Sequence, residues 1–247
     1  MFIKKIILVL LFVSLAISPF FVQTPARGQT PPYPPSPVVT NITFDWSSHD
    51  RRAEGSDNWA LTWADDNHKY TPWGDGGGFG GTISDGRVSL GIARIEGLLS
   101  SYRGGNVWGG KNPLNNNAWI RSPGNQWIIT SAENSHLRLK YPVGTARAKS
   151  YGILSVSGNL YMLAGPGSGA ESYKETRLFQ STNHGVSWSP ASWAFHFGDG
   201  IFLPTFLQFG KGYQGARDDF VYIYAPERIS TTWEVQKPGK ISLWRVP

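Results

Sequence analysis

SDNWALTWADDNHKYTPWGDGGGFGG, residues 56–81, packs four aspartates, six glycines and three tryptophans into twenty-six positions. Residues 59–63 and 68–74 carry the apolar, β-branched and aromatic content of two short strands, and 65–67 carry the polar residues of the turn between them. Paired positions in an antiparallel hairpin have a constant sum, so a turn centred on Asp66 pairs 57 with 75. Asp57 and Asp75 then stand opposite each other at the open end, with Cβ atoms about 5 Å apart. A slip of one residue would make them less direct neighbours. Asp65 and Asp66 fall at the closed end, where aspartate supports turn geometry through its own side chain.

Outward from this hairpin the same organisation recurs. Strand, turn, tyrosine-centred strand, loop and third strand appear in NWALTWADDNHKYTPWG (58–74) with RVSLGIARIEG (87–97). They appear again in SYGILSVSGNLYMLAG (150–165) with KETRLFQSTNHGVSW (174–188). The third instance is FLPTFLQFG (202–210) and DDFVYIYAP (218–226) with GKISLWRVP (239–247). No window sustains a 3.6-residue apolar period, so the class is all-β. Meandering antiparallel units repeating at this spacing predict β-propeller blades with long insertions; a plain β-sandwich is the alternative. The last unit ends on a third strand, which predicts a propeller truncated at its C-terminal side to about three blades.

The N-terminus has a different character. Lys4 and Lys5 precede an apolar run from Ile6 to Val22, and Ala26-Arg27-Gly28 offers a small-residue exit. That order predicts a signal peptide over 1–28, and hence a secreted, periplasmic or cell-surface protein with no further membrane segment. A proline-rich linker over 29–39 leads to the β domain at 40–247. Removing 1–28, which holds Lys4, Lys5 and Arg27 and no acid, lowers the formal charge from +6 to +3. The remaining basic residues are scattered, which argues against nucleic acid as a partner. The chain has no cysteine, so the fold rests on its core and not on a disulfide framework. A monomer is expected.

In a propeller, the loop entering strand one and the loop leaving strand two share the ligand-binding face. Asp57 and Asp75 would meet there, and two carboxylates are what glycoside hydrolysis requires: one acid and one base or nucleophile. Loop capping is the alternative role for the pair. Trp73, Phe79 and Trp108, beside glycine-rich segments, are candidate stacking platforms for a polysaccharide or other glycan. Lys149 and Tyr151 enter strand one of the second unit, and Asp199 precedes strand one of the third, so all three are expected on the same face. Trp59, Trp63 and Trp244 are expected in the core. GDGGGFGG contains a GxGxxG match, but a strand and not a helix follows it, which removes the N-terminus that a dinucleotide pyrophosphate needs. No cofactor is expected, and the sequence leaves open a structural Ca2+ in the central channel.

Two resemblances attach to these residues. STNHGVSW, 181–188, resembles the Asp box of sialidase-like propellers, with Asn183 in place of the aspartate; the box implies a structural turn between the third and fourth strands of a blade. The stretches at 56–81, 86–97, 149–163, 202–226 and 241–247 resemble the secreted propellers of the domain-of-unknown-function 4185 family. That resemblance implies a five-bladed propeller. Some family members are endo-D-arabinanases with two essential aspartates near the start of the propeller, and Asp57 and Asp75 match that pair. The resemblance therefore implies a carbohydrate-active protein, a glycoside hydrolase of arabinanase type. The alternative is a propeller that binds carbohydrate without cutting it.

Overall fold

The computed structural model describes residues 34, 36–85, 87–98, 100–112, 118–119, 128–131, 136–141, 144–168, 173–230 and 239–247. The expected signal peptide at 1–28 and most of the expected linker lie outside these residues. The chain divides into two units, Met1–His49 and Asp50–Pro247. In the first, Asp45 caps a short 3-10 turn, Trp46–Ser48, by accepting from Ser47 N at 3.0 Å.

The second unit is all-β and built of open antiparallel sheets. The first sheet is a meander of β1 (Thr62–Trp63), β2 (Lys69–Trp73), β3 (Gly91–Glu96) and β4 (Arg103–Trp108). Two short strands, β5 (Lys111–Asn112) and β6 (Ala118–Trp119), pair separately. The second sheet runs β7 (Ile128–Ser131), β8 (His136–Tyr141), β9 (Gly144–Val156), β10 (Asn159–Ser168), β11 (Glu175–Ser181) and β12 (Ser189–His196) in consecutive order. The third is β13 (Thr205–Phe206), β14 (Val221–Pro226) and β15 (Ile241–Val246). The three repeated units thus each form a meander.

Side-chain alternation along the second sheet explains how the sheets are joined. Ile153 and Met162 face one side and pack with Tyr70, Trp73, Ile92 and Phe179; Leu154 and Leu163 face the other and pack with Phe206, Tyr213 and Ile223. A sheet buried on both faces carries apolar residues at consecutive positions, as ILSV and YMLA do. Polar contacts tie the same neighbours together. Ser155 N donates to Thr62 Oγ1 at 2.8 Å, and Gln208 Nε2 donates to the Ile153 carbonyl at 2.7 Å.

Strand β4 was hidden in the sequence by Gly104 and Gly105, which disfavour strands. Gly104 is there for space. A Cβ on it would lie 2.2 Å from the Phe79 ring, so only glycine lets that ring close over the ladder. Of the three tryptophans expected in the core, Trp59 packs partly buried against it, while Trp63 and Trp244 are instead 42% and 43% exposed. Trp63 lies on the outer face of its two-residue strand, where the Lys69 ammonium sits 5.2 Å from its ring centroid.

The 181–188 segment forms the turn between β11 and β12. Asn183 does the work expected of an aspartate: its Oδ1 accepts from Ser187 N at 2.9 Å and from Ser181 Oγ at 3.0 Å. Its Nδ2 also donates to Ser187 Oγ at 2.7 Å, which a carboxylate could not do. Trp188, 3% exposed, plugs the core shared by the first two sheets. Asn183→Ala should therefore destabilise the protein by about 1–2 kcal/mol, while Asn183→Asp, which keeps the acceptor, should stay within about 0.5 kcal/mol of the parent. Denaturant unfolding of the two variants checks this, and equal losses would show that the acceptor is not what matters.

Candidate functional site

The hairpin register is the expected one at the turn and differs at the open end. Thr62 pairs with Tyr70 and Trp63 with Lys69, both summing to the expected value, but the next bridge joins Asp57 to Gly74 and not to Asp75. Between this bridge and the Thr62–Tyr70 pair, four residues on one side face three on the other. Asn58, at φ 60°, forms the kink that takes up the additional residue. The bridge is closed in both directions, Asp57 N to Gly74 O and Gly74 N to Asp57 O, each at 2.9 Å. Asp57 and Asp75 are thus one position out of register and not directly opposed.

Asp75 is held in a demanding conformation. Its φ is 52°, in the left-handed region that non-glycine residues seldom occupy outside such sites. Arg87 fixes it by donating to the Asp75 carbonyl and to Ile83 O at 3.0 Å, while its second nitrogen lies 3.4 Å from Asp75 Oδ1. Lys149 Nζ is ion-paired with Asp75 Oδ2. The lysine side chain is only 10% exposed, and its ammonium meets Asp75 without directed hydrogen-bond geometry to any acceptor. One carboxylate therefore faces two cations.

Asp57 differs. It is exposed on one side, while Oδ1 turns towards Gly74. Partial desolvation raises its pKa above the ordinary carboxylate value, and the charge of Asp75 adds to the rise. Lys149 and Arg87 oppose it without cancelling it. Tyr151 and Tyr173 lie within electrostatic reach of the pair and of each other. Burial is the main cause that pushes both phenols above their ordinary value, with the two aspartates adding to the rise. Both phenols stay protonated and can donate.

The glycine-rich loop is rigidly built. Asn106, 2% exposed, accepts from Phe79 N at 3.1 Å and donates to the Gly77 and Lys111 carbonyls at 2.9 and 2.7 Å. Gly78 N donates to Ser56 Oγ at 2.9 Å. A Cβ on Gly76 would meet the Gly55 carbonyl at 2.2 Å. These glycines let backbone approach backbone.

Of the residues picked out from sequence, Asp57, Asp75, Lys149 and Tyr151 come together. Trp73 does not join them as a platform: it is 0% exposed, stacked on Trp59 at 6.2 Å, and so belongs to the core. Phe79 is half-buried, its ring edge-on to Trp59 at 5.4 Å and wedged over Gly104. Asp199 ends a 3-10 turn, Phe197–Asp199, where its carboxylate accepts from His196 N at 2.7 Å. Trp108 pairs with Ile92 in β4, and its side chain lies outside the described residues. Sequence reading missed Arg87 and Tyr173. Arg87 and Tyr173 each lie just before the third strand of their units, positions that a two-strand reading of the ligand face passes over.

A second cluster lies at the turn end. Asp65, Asp66 and His184 bring three possible metal-ligand atoms within 4.8 Å of one another. Each is already engaged. His184 Nε2 is 2.9 Å from Asp65 Oδ1 and its ring stacks on Tyr70, while Asp66 accepts from His68 N at 3.0 Å and from the Tyr70 hydroxyl at 2.6 Å. These contacts give the two acids a structural role at the turn and join it to the 181–188 segment. In comparison with known proteins, no family model and no curated protein matches this sequence.

Proposed function

We propose that this protein is an exported carbohydrate-active propeller, a glycoside hydrolase that cuts a polysaccharide with Asp57 and Asp75. The observation that carries the reading is the unequal environment of two adjacent carboxylates. Asp57, with its raised pKa, is the general acid that protonates the leaving oxygen; Asp75, facing Arg87 and Lys149, is the base or nucleophile. Tyr151 and Tyr173 supply hydrogen-bond donors beside them, and Lys149 orients Asp75.

The propeller architecture is part of the same proposal. It is supported by the consecutive meanders, by the packing of each sheet on the next through both faces of the middle one, and by the turn at 181–188. Arabinan is the first polymer to test, and a polysaccharide is the expected partner.

The test is release of reducing ends from a panel of furanose and pyranose polymers by the full chain. Release from at least one polymer is expected. Binding without release across the panel would overturn the hydrolase reading in favour of a non-catalytic carbohydrate-binding propeller.

A further inference from the structure

The third sheet repeats, at its own open end, the construction that presents Asp75. In the first sheet an isolated bridge joins Asp57 to Gly74, and Asp75 follows. In the third an isolated bridge joins Ile201 to Glu227, and Arg228 follows. Both bridges close a hairpin between strands one and two of their sheets, so Arg228 occupies the position of Asp75, two units away.

Arg228 is an unusual cation. It is half-buried, its guanidinium carbon 4.8 Å from the Phe197 ring centroid and 5.4 Å from that of Phe202. Nε donates to the Ser230 carbonyl at 3.2 Å, but Nη2 is shut off from solvent and meets no acceptor. Among the described residues it has no carboxylate partner, in contrast to Arg87, Arg94 and Arg177, each of which has one. Burial alone lowers its pKa, with no opposing charge to restore it. A half-buried guanidinium flanked by two aromatic rings and lacking a carboxylate partner among the described residues keeps a full positive charge for an anion to meet.

Position connects it to the site. Phe202 lies 5.7 Å from the Tyr173 ring, and Tyr173 and Tyr151 both feel the charge of Asp57 and Asp75. A line therefore runs from Asp57 and Asp75 through two tyrosines and a phenylalanine to Arg228.

We propose that Arg228 is a ligand-binding residue that takes an anionic substituent of the glycan, a carboxylate or a sulfate ester, with Phe197 and Phe202 holding the guanidinium plane. Arginine suits this role because charge-assisted hydrogen bonds from a permanently charged guanidinium hold carboxylate and sulfate oxygens strongly. The inference rests on the carbohydrate-active reading above and narrows it to acidic polymers.

Affinity measurements on the full chain test it, by calorimetry or tryptophan fluorescence. The probes are oligogalacturonate and its methyl ester, and chondroitin oligosaccharides with and without sulfate. At least one acidic probe should bind about tenfold or more tightly than its neutral or desulfated counterpart, from the charge-assisted contact. The pair that shows the difference identifies carboxylate or sulfate. Arg228→Gln should abolish that preference while leaving the affinity for the weaker counterpart in place; Arg228→Lys should retain part of it and guards against loss of folding in the first variant. Equal binding within both pairs, or a preference that survives in Arg228→Gln, overturns the inference. Failure of the hydrolase reading looks different: no polymer is cut, yet the charge preference and its dependence on Arg228 remain. Cutting of neutral polymers with no charge preference would sink the Arg228 inference alone.

Discussion

Replacing either Asp57 or Asp75 with asparagine is expected to lower turnover about 10²–10⁴-fold on any polymer the parent protein cuts, because general acid–base catalysis contributes that much. The two variants should separate in stability. The pKa of Asp57 is raised in the fold, first by desolvation and then by Asp75, so ionising it works against folding. Below the ordinary carboxylate pKa both folded and unfolded chains carry the proton, and the residue has no effect. As pH rises through the raised folded value the penalty appears in full and persists. Asp57→Asn removes it, so the variant should melt at or above the parent temperature at neutral pH, and the gap should close in acid. Asp75→Asn should melt lower. It leaves the ammonium of Lys149, whose side chain is 10% exposed, without its counter-charge, an effect of about 1–3 kcal/mol, between the values for exposed and buried pairs. Adding Lys149→Met to Asp75→Asn should restore the melting temperature but not the turnover. Near-parental turnover in both single variants would remove the pair from catalysis.

That divergence was only half visible in the sequence. The constant-sum rule brought Asp57 and Asp75 to one hairpin end, because period and turn chemistry are local properties. It missed the bulge at Asn58, because a left-handed kink at one non-glycine residue leaves little trace in composition. The three meanders were legible from alternation and turn residues. Strand β4 was not, since its glycines answer to the Phe79 ring, a contact made across the sheet. Lys149 and Tyr151 were found through the repeat, whereas Arg87 reaches Asp75 from the segment before β3, where nothing in the sequence marks it. The tryptophans were the least readable. An aromatic beside glycines suits a stacking platform or a tight core equally well, and only the packing partner decides.

Trp73 shows how large that decision is, since Trp73→Ala should destabilise the protein by roughly 3–5 kcal/mol. The indole is 0% exposed at the end of β2 and stacks on Trp59 at an interplanar angle of 28°. Gly78 and Gly91 are glycine where they meet it: a Cβ on Gly91 would fall 2.3 Å from the ring, and one on Gly78 2.5 Å. Removing the ring therefore leaves a cavity bounded by backbone, which cannot collapse easily. For a domain of this size the loss corresponds to a fall in melting temperature of roughly 6–20 °C. Trp73→Phe should lose much less, because the phenyl ring fills part of the space and the indole N–H, buried without a partner, is removed with the rest. Asp75 lies two residues beyond Trp73, and Phe79 packs on Trp59, so the same cavity should loosen the site and reduce turnover in Trp73→Ala more than the unfolded fraction accounts for. A stacking platform would behave in the opposite way, with weakened glycan binding and an unchanged melting temperature. Thermal denaturation of Trp73→Ala and Trp73→Phe beside glycan affinity distinguishes the two. A melting temperature within about 2 °C of the parent in Trp73→Ala would mean that the ring is not the core element its burial makes it.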